Sequence, residues 1–317
     1  MPRILIVKTS SMGDVIHAFP ALADLKRAQP DTKVDWLVEA GFAGIARLHP
    51  SIDRVITCEL RKWRKAPFSP SVRAAYAKLK SEINETPYDA IVDLQGLVKS
   101  AWLASRAKGP RFGYDWASAR EPLAGVSYQH TFAVSKAEHA VTRNRELLAK
   151  ALQYELPAAQ NSYGLQLISQ KKRLVVCCHA TSRDDKLWPE ENWRALIAAC
   201  GAKGYEIGLP WGSPAEEARA HRLALGFAHA HVWPRDPFAQ LAKDLSAAAC
   251  VVGVDTGLLH LAAAVGAPVI GVYVATKPGL SGAWGGDATA VNLGGIGRVP
   301  SVEAVLAAIA PCTPNTP

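Results

Sequence analysis

Short apolar runs alternate with longer amphipathic stretches through the first half of the chain. Runs typical of buried strands are "RILIVK" (3–8), "KVDWLVE" (33–39), "RVIT" (54–57) and "DAIVDL" (89–94), and helical spacing of apolar residues occurs at about 14–28, 70–85 and 138–153. Because strands that alternate with helices are typical of βα units, this half of the chain predicts a parallel sheet covered by helices.

The same alternation restarts after the polar, proline-marked stretch "YELPAAQNSYG" (154–164), which predicts a linker. The later strand-like runs are "RLVVCCHA" (173–180), "YEIGLP" (205–210), "CVVGVD" (250–255) and "PVIGVYV" (268–274). We therefore predict an α/β protein with two doubly wound domains, 1–155 and 165–317. Such sheets bind ligands beyond the carboxyl ends of their strands, so we expect the active site in the crevice between the domains.

Length and composition fit two globular domains, since the chain has 317 residues of which 49% are hydrophobic. The one long uncharged run, 256–276, contains Gly266-Ala267-Pro268, which would break a membrane-spanning helix. Lys8 and Asp14 interrupt the first apolar residues, so no signal-peptide core is expected. The six cysteines show no metal-ligand spacing. These features predict a cytoplasmic protein with reduced thiols and no transmembrane segment.

Charge is divided unevenly along the chain. Residues 1–159 hold 23 Lys and Arg against 16 Asp and Glu, whereas residues 160–317 hold 13 against 12. Within the first half, residues 60–81 contain Trp63 and Phe68 and no acid, but seven bases: Arg61, Lys62, Arg64, Lys65, Arg73, Lys78 and Lys80. This segment either faces an anion or is a solvated basic edge.

Candidate chemistry in the first half centres on "KTSSMGDVIHAFPAL" (8–22), where a strand runs into a small-residue turn. Asp14 falls in the first turn of the predicted helix, and a carboxylate there complements the exposed N–H groups and the helix dipole. Asp14 is therefore either a helix cap or a catalytic base at the mouth of a cleft between sheet and helix.

Three segments of the second half place polar residues after strands. In "VVGVDTGLLHLAAAVGAP" (251–268) the turn Asp255-Thr256-Gly257 opens a helix whose N-terminus would suit a diphosphate. His260 in that helix is either an ordinary buried histidine or a ligand contact. In "LPWGSPAEEARAHRL" (209–223), Glu216 and Glu217 either accept hydrogen bonds from a ribose or only complement a helix dipole.

The third segment, "HATSRDDKLWPEENW" (179–193), is a loop with Thr181, Ser182 and Lys186 ahead of a helix that starts near Pro189. Lys186 could neutralise a phosphate. Asp184 and Asp185 could form a metal pair, but adjacent acids without a third ligand are more simply solvent-facing or partners of Arg183.

Seven segments, in order and over nearly the whole chain, resemble the lipopolysaccharide heptosyltransferases of glycosyltransferase family 9. They are "KTSSMGDVIHAFPAL", "RKWRKAPFS", "DLQGLVKSA", "WASAREPLA", "HATSRDDKLWPEENW", "LPWGSPAEE" and "VDTGLLHLAAAVGAP". The resemblance implies a GT-B glycosyltransferase fold with two Rossmann-like domains. It also implies inverting transfer of L-glycero-D-manno-heptose from ADP-heptose to the first Kdo of Kdo2-lipid A, without a metal or other cofactor.

The resemblance further implies roles for individual residues. Asp14 would be the catalytic base, and Lys186 would stabilise the ADP leaving group. The C-terminal domain would bind ADP-heptose through Thr181, Ser182, Lys186, Glu216, Asp236, Asp255, Thr256, Gly257 and His260. The N-terminal domain would bind the acceptor through Ser10, Ser11, Arg61, Lys62, Arg64, Lys65, Lys99, Arg120 and His139.

The expected partners are these two substrates and an anionic membrane surface, which the basic half would bind peripherally on the cytoplasmic face of the inner membrane. We expect a monomer. An NAD-dependent oxidoreductase is disfavoured because the turns "TSSMGD" and "VDTGLL" lack G-x-G-x-x-G. A nucleic-acid binder is disfavoured because no recognised binding motif is present, and an exported solute-binding protein would need a signal peptide. The alternative within the family is heptosyltransferase II or another ADP-sugar transferase.

Overall fold

The computed structural model describes residues 1–157, 162–165, 167, 169–286 and 289–310. The chain divides into two compact units, Met1–Gly164 and Leu165–Pro317, which are called the N-terminal and C-terminal units below. Within the described residues, no helix is both long and apolar enough to span a bilayer.

The N-terminal unit is built on a six-stranded parallel sheet in the order β3-β2-β1-β4-β5-β6. Its strands are β1 (Arg3–Val7), β2 (Lys33–Glu39), β3 (Arg54–Cys58), β4 (Ala90–Asp93), β5 (Arg111–Tyr114) and β6 (His130–Phe132). The first strand is central, so the chain winds outward from β1 to one edge and from β4 to the other. The connections that leave β1 and β4 diverge, which makes the carboxyl ends of these two strands the switch point where such sheets bind ligands.

Helices connect these strands: α1 (Met12–Ile16), α2 (Phe19–Ala28), α3 (Ala43–Ala46), α4 (Leu60–Trp63), α5 (Pro70–Glu82), α6 (Val98–Ala104) and α7 (Ala140–Leu152), with 3₁₀ helices at Ala40–Phe42 and Pro122–Ser127. The single helix expected at 14–28 is in fact two helices. His17 ends α1, and Pro20 lies in the first turn of α2, where its missing N–H leaves no hydrogen bond unmade.

Both faces of the N-terminal sheet are covered, which is why β2 and β4 read as nearly continuous apolar runs. On one face, strand residues such as Leu5, Leu37 and Ile91 pack with Trp63 of α4 and Leu79 of α5. Each large apolar side chain that is fully buried stabilises the fold by about 1.5–3 kcal/mol, so the core fixes the strands and the loops at their ends are left for binding.

The C-terminal unit repeats this plan with the order β12-β11-β10-β7-β8-β9. Its strands are β7 (Lys172–Cys178), β8 (Glu206–Leu209), β9 (Ala230–Val232), β10 (Ala248–Val254), β11 (Val269–Tyr273) and β12 (Ala290–Gly294). Numbered within the unit, the order is the same as in the N-terminal sheet, and the switch point lies between β7 and β10.

The helices of this unit are α8 (Glu190–Ala202), α9 (Pro214–Ala224), α10 (Phe238–Ala247), α11 (Gly257–Ala264), α12 (Pro278–Ser281) and α13 (Val302–Ile309), with a 3₁₀ helix at Asp184–Lys186. Trp188 and Trp193 meet edge to face in its core with ring centroids 5.1 Å apart. The five cysteines within the described residues are buried. Cys312 lies outside the described residues.

Candidate active site

The switch point of the N-terminal unit carries Asp14. The chain leaves β1 through Lys8, Thr9 and Ser10, and Ser11 caps the short helix α1. The Asp14 Oδ2 atom accepts hydrogen bonds from the backbone N of Ser11 (2.8 Å) and from its Oγ (3.0 Å). The side chain keeps 30% of its surface exposed. Asp14 therefore does act as a cap, and it also remains accessible as a carboxylate.

Positive side chains lie beside this carboxylate. The Nη1 atom of Arg120 is 3.6 Å from Asp14 Oδ1, and Lys99 of α6 donates a hydrogen bond from Nζ to Ser10 Oγ at 3.3 Å. Arg120 remains 56% exposed, so its remaining N–H groups are available to an anion. The structure thus brings Ser10, Ser11, Lys99 and Arg120 together around Asp14.

The other residues predicted for the acceptor lie on neighbouring elements of the same unit. Four of them are exposed bases of α4 and the loop after it: Arg61, Lys62, Arg64 and Lys65. Lys62 pairs with Glu59. His139 is the N-cap of α7, where its Nδ1 accepts from Val141 N at 3.2 Å, and its ring packs edge to face on His17 with centroids 5.4 Å apart.

Two charged residues of this unit lie near Asp14 or the acceptor residues but were not predicted from the sequence as site residues. In the sequence Lys8 only interrupts an apolar run, yet the residue is buried beneath the switch point. Glu39 ends β2, and its Oε1 accepts from Arg61 N at 3.2 Å. Burial raises the pKa of Glu39, against the hydrogen bond from Arg61 and the positive charges of Arg61 and Lys99. Both lie at the carboxyl end of a buried strand, and that position was the signal available in the sequence.

The switch point of the C-terminal unit carries Asp255, which follows β10. Its Oδ2 accepts a hydrogen bond from Lys186 Nζ at 2.7 Å, and its Oδ1 is 3.9 Å from His260 Nε2. The Asp255 and Lys186 side chains are only 13% and 18% exposed. Burial by itself would raise the pKa of Asp255, but His260 and the Lys186 ammonium outweigh it and hold that pKa well below its usual range. Asp255 is therefore a fixed negative charge that locates Lys186.

The loop after β7 is tied to the same point. Thr181 donates from Oγ1 to the backbone O of Asp255 at 2.9 Å, and Ser182 beside it is exposed. Thr256 is the N-cap of α11, which begins at Gly257, so the first N–H groups of an eight-residue helix lie next to the Lys186 ammonium. Together these groups form a cluster of N–H and O–H donors suited to phosphate oxygens.

The remaining predicted donor residues occupy two further loops of this unit. Glu216 lies in the first turn of α9, and its Oε2 accepts from Gly212 N at 2.7 Å. Asp236 is exposed between β9 and α10. Asp185 pairs with Arg183, as the simpler interpretation of the adjacent acids expected, and Asp184 is exposed. Among the residues that the structure describes, no three His, Cys, Asp or Glu side chains are grouped so that they could hold a metal ion.

Comparison with known proteins identifies the family to which this chain belongs. The model of glycosyltransferase family 9 (heptosyltransferase) matches residues 76–307. The chain is 49% identical over 292 residues to lipopolysaccharide heptosyltransferase 1 of Salmonella typhimurium, covering 89% of this chain and 92% of that protein. The corresponding protein of Pseudomonas aeruginosa is 45% identical over 289 residues, covering 89% and 81%.

Solved structures of heptosyltransferases have the same fold as this chain. Escherichia coli heptosyltransferase WaaC with ADP matches with a TM-score of 0.92 at 45% identity, covering 98% of this chain and 100% of that one. E. coli heptosyltransferase II, at 20% identity and a TM-score of 0.75, shares the fold. The chain is therefore a glycosyltransferase with the GT-B fold, as its sequence predicted. It belongs to glycosyltransferase family 9, the heptosyltransferases.

Proposed function

We propose that this heptosyltransferase transfers L-glycero-D-manno-heptose from ADP-heptose to the first Kdo of Kdo2-lipid A, with inversion at the anomeric carbon. The similarity to lipopolysaccharide heptosyltransferase 1 supports the acceptor. The WaaC structures with ADP and with ADP-2-deoxy-2-fluoro heptose support the donor. The observation that carries the proposal is Asp14, an accessible carboxylate fixed at the N-terminal switch point beside Arg120.

Asp14 would act as general base. As the Kdo hydroxyl oxygen bonds to the anomeric carbon, its proton passes to the Asp14 carboxylate, and the bond from that carbon to ADP breaks on the opposite face with the electron pair leaving on ADP. A carboxylate is a weak base, so the proton moves as the hydroxyl becomes acidic in the transition state. Much of the rate must then come from holding acceptor and base in line.

Lys186 would stabilise the departing ADP. Its ammonium has three N–H groups, one of which donates to Asp255, so others remain for diphosphate oxygens. The N-terminal N–H groups of α11 and the hydroxyls of Thr181 and Ser182 add further hydrogen-bond donors. We propose that these groups take the part that a metal plays in other sugar-nucleotide enzymes, so turnover should survive excess EDTA. Glu216 would bind the ribose, the chain near Asp236 the adenine, and Asp255 and His260 would lie beside the heptose and diphosphate.

The acceptor would bind to the N-terminal unit. Kdo and lipid A carry carboxylate and phosphate groups, which match the exposed bases around α4 together with Lys99, Arg120 and His139. The same basic surface would hold the enzyme peripherally on the cytoplasmic face of the inner membrane, where anionic lipids attract Lys and Arg. The enzyme would act there as a monomer.

An acceptor comparison tests the proposal. ADP release is measured with ADP-heptose and either Kdo2-lipid A or the same acceptor already carrying one heptose. We expect kcat/KM to favour Kdo2-lipid A. A preference for the heptosylated acceptor would instead assign the chain as heptosyltransferase II, and release of ADP from another ADP-sugar at a higher kcat/KM would reject the donor.

A further inference from the structure

Lys8 is a buried charge that the proposed reaction does not use directly. It follows β1, and the residue is only 6% exposed. Its Nζ donates to the backbone O of Leu94 at 2.6 Å and to Oδ1 of Asn144 at 3.2 Å, and both of these acceptors are neutral. Burying an ammonium without a carboxylate in direct contact is unfavourable, so an apolar side chain would serve stability at least as well. The unfavourable free energy of burying this ammonium indicates that Lys8 has a role other than stability.

Asn144 extends these hydrogen bonds to the helix that carries Asp14. Asn144 lies on α7 and is 1% exposed, and its Nδ2 donates to the backbone O of His17 at 3.1 Å. His17 is the C-cap of α1. A chain of hydrogen bonds therefore runs from Leu94 after β4, through Lys8 after β1 and Asn144 on α7, to the end of α1.

The position of α1 depends on such contacts because the helix has only five residues. A helix of that length is not stable alone in water, so the burial of Val15 and Ile16 and the contacts at its two ends together decide where its side chains lie. The Ser11 hydrogen bonds to Asp14 fix its first turn, and the Asn144 hydrogen bond fixes its last.

We propose that Lys8 is a positioning residue of the transfer reaction, which holds α1 through Asn144 and sets the place and the electrostatic surroundings of Asp14. The inference rests on the proposed role of Asp14 as the base. The ionisable groups that act on the Lys8 ammonium are Asp14 on α1, Asp93 on β4, Arg120 before the second 3₁₀ helix and Arg143 on α7.

Lys8 should also leave a signature in the pH dependence of turnover. Burial lowers the pKa of Lys8 to about 8, against the carboxylates of Asp14 and Asp93 and with the help of Arg120 and Arg143. The ammonium therefore loses its charge as pH rises through that value. A neutral amine is a weaker hydrogen-bond donor than an ammonium, so the contacts that hold α1 weaken and kcat should fall as pH rises through about 8.

The experiment compares Lys8→Met and Asn144→Leu with Asp24→Asn as a matched control. Asp24 is a buried polar residue of the same unit whose Oδ2 accepts from Arg145 Nε at 2.6 Å, and Arg145 is the neighbour of Asn144 on α7. We measure kcat and its pH profile with ADP-heptose and Kdo2-lipid A, the Kd for ADP, and Tm. Both test variants should lose about tenfold to a hundredfold in kcat with an unchanged Kd for ADP, while Asp24→Asn lowers Tm and keeps kcat. The alkaline fall near pH 8 should be absent from Lys8→Met.

Wild-type kcat in both test variants would overturn the inference, as would an equal loss of kcat in Asp24→Asn. If Lys8→Met does not fold, Asn144→Leu decides by the same criteria. A wild-type enzyme that releases no ADP with these substrates would instead reject the proposed function, so the two failures are distinguishable.

Discussion

At the scale of single residues, Asp14 has an observed role and a proposed role to separate, because the same carboxylate caps α1 and keeps part of its surface exposed. We expect Asp14→Asn and Asp14→Ala to lower kcat by at least about 10²-fold, the scale of general-base catalysis. The Kd for ADP, measured by calorimetry, should hardly change, because the proposed ADP site lies in the C-terminal unit. Turnover near that of wild type would leave Asp14 as a cap alone.

His179 carries a second prediction at this scale, about stability. It directly follows β7 and is fully buried, and neither ring nitrogen has a hydrogen-bond partner within the described residues. Burial, with the help of Arg219 and Arg222 and against the effect of Glu190, lowers the pKa of His179 to about 4. The unfolded chain, with a pKa near 6.5, therefore binds the proton more tightly than the folded one.

The free energy of unfolding should consequently fall as pH drops from about 6.5 to about 4, by roughly 3 kcal/mol in total from this group, and be insensitive to it at higher pH. Urea unfolding at several pH values, for wild type and His179→Leu, measures this. Leucine is a fair replacement because no hydrogen bond of the ring is lost. The variant should show a shallower pH dependence, and equal slopes would refute the assignment.

The sequence predicted candidate site residues, but it did not predict which residues they contact. Asp255 directly follows an apolar strand, and Asp14 and Lys186 are charged residues in the segments that connect such a strand to the next long helix. The ion pair between Lys186 and Asp255 joins residues 69 positions apart, and Lys8 meets Asn144 across 136 positions. Periodicity and local motifs carry no information about such contacts, which the sheet topology creates.

At the scale of elements, most strands were predictable, the edge strand β3 included, whereas four short strands were not. Strands β1 to β4 and β7, β8, β10 and β11 lie within about two residues of the predicted runs. The missed strands, β5, β6, β9 and β12, have three to five residues and mix polar with apolar side chains, since most lie partly exposed towards an edge. A short, half-exposed strand leaves too few apolar positions for a pattern.

Variants of the bases in helix α4 and the loop after it test whether the segment 60–81 binds the acceptor. We expect Arg61→Ala, Arg64→Ala and Lys65→Ala to raise KM for Kdo2-lipid A and to leave KM for ADP-heptose nearly unchanged. A charge-assisted contact is worth about 1.5–3 kcal/mol, or roughly tenfold to a hundredfold, whereas an exposed charge contributes less than about 1 kcal/mol and loses it in salt.

Saturation curves for each substrate, at low and at physiological salt, separate these cases. The three effects should be unequal, because Arg61 also stacks over the Phe42 ring at 5.8 Å while Arg64 and Lys65 are exposed in the loop. If all three variants bind the acceptor as wild type does, or if donor and acceptor weaken equally, the segment is not the acceptor site.

At the scale of the whole molecule, the uneven charge predicts binding to anionic vesicles. Phe68 lies in the loop after α4, is 87% exposed and would add an apolar contact with the membrane. Each Lys or Arg close to an anionic surface contributes about 1 kcal/mol to binding. We expect sedimentation with vesicles containing phosphatidylglycerol but not with pure phosphatidylcholine, and loss of binding as salt rises from about 0.05 to about 0.5 M.

Charge reversal locates the surface. The double variant Arg64→Glu, Lys65→Glu should release the protein from these vesicles. The control Arg235→Glu, Lys243→Glu, which reverses two exposed bases of the C-terminal unit, should bind as wild type does. An equal loss of vesicle binding in the two double variants would mean that net charge, rather than the loop after α4, drives binding.

The shared strand order has a consequence for how the chain is made. Every strand of the first sheet lies between residues 3 and 132, and no strand of the second unit enters it. During synthesis, the first sheet can thus be paired in full while β7 and the residues after it are still being translated. Each sheet also begins at its centre, so every later strand of the nascent chain finds an already formed neighbour on which to add. Translation pauses placed at the end of α8, where the ribosomal tunnel still holds the residues after Gly164, should for this reason leave a protease-resistant N-terminal fragment on the ribosome.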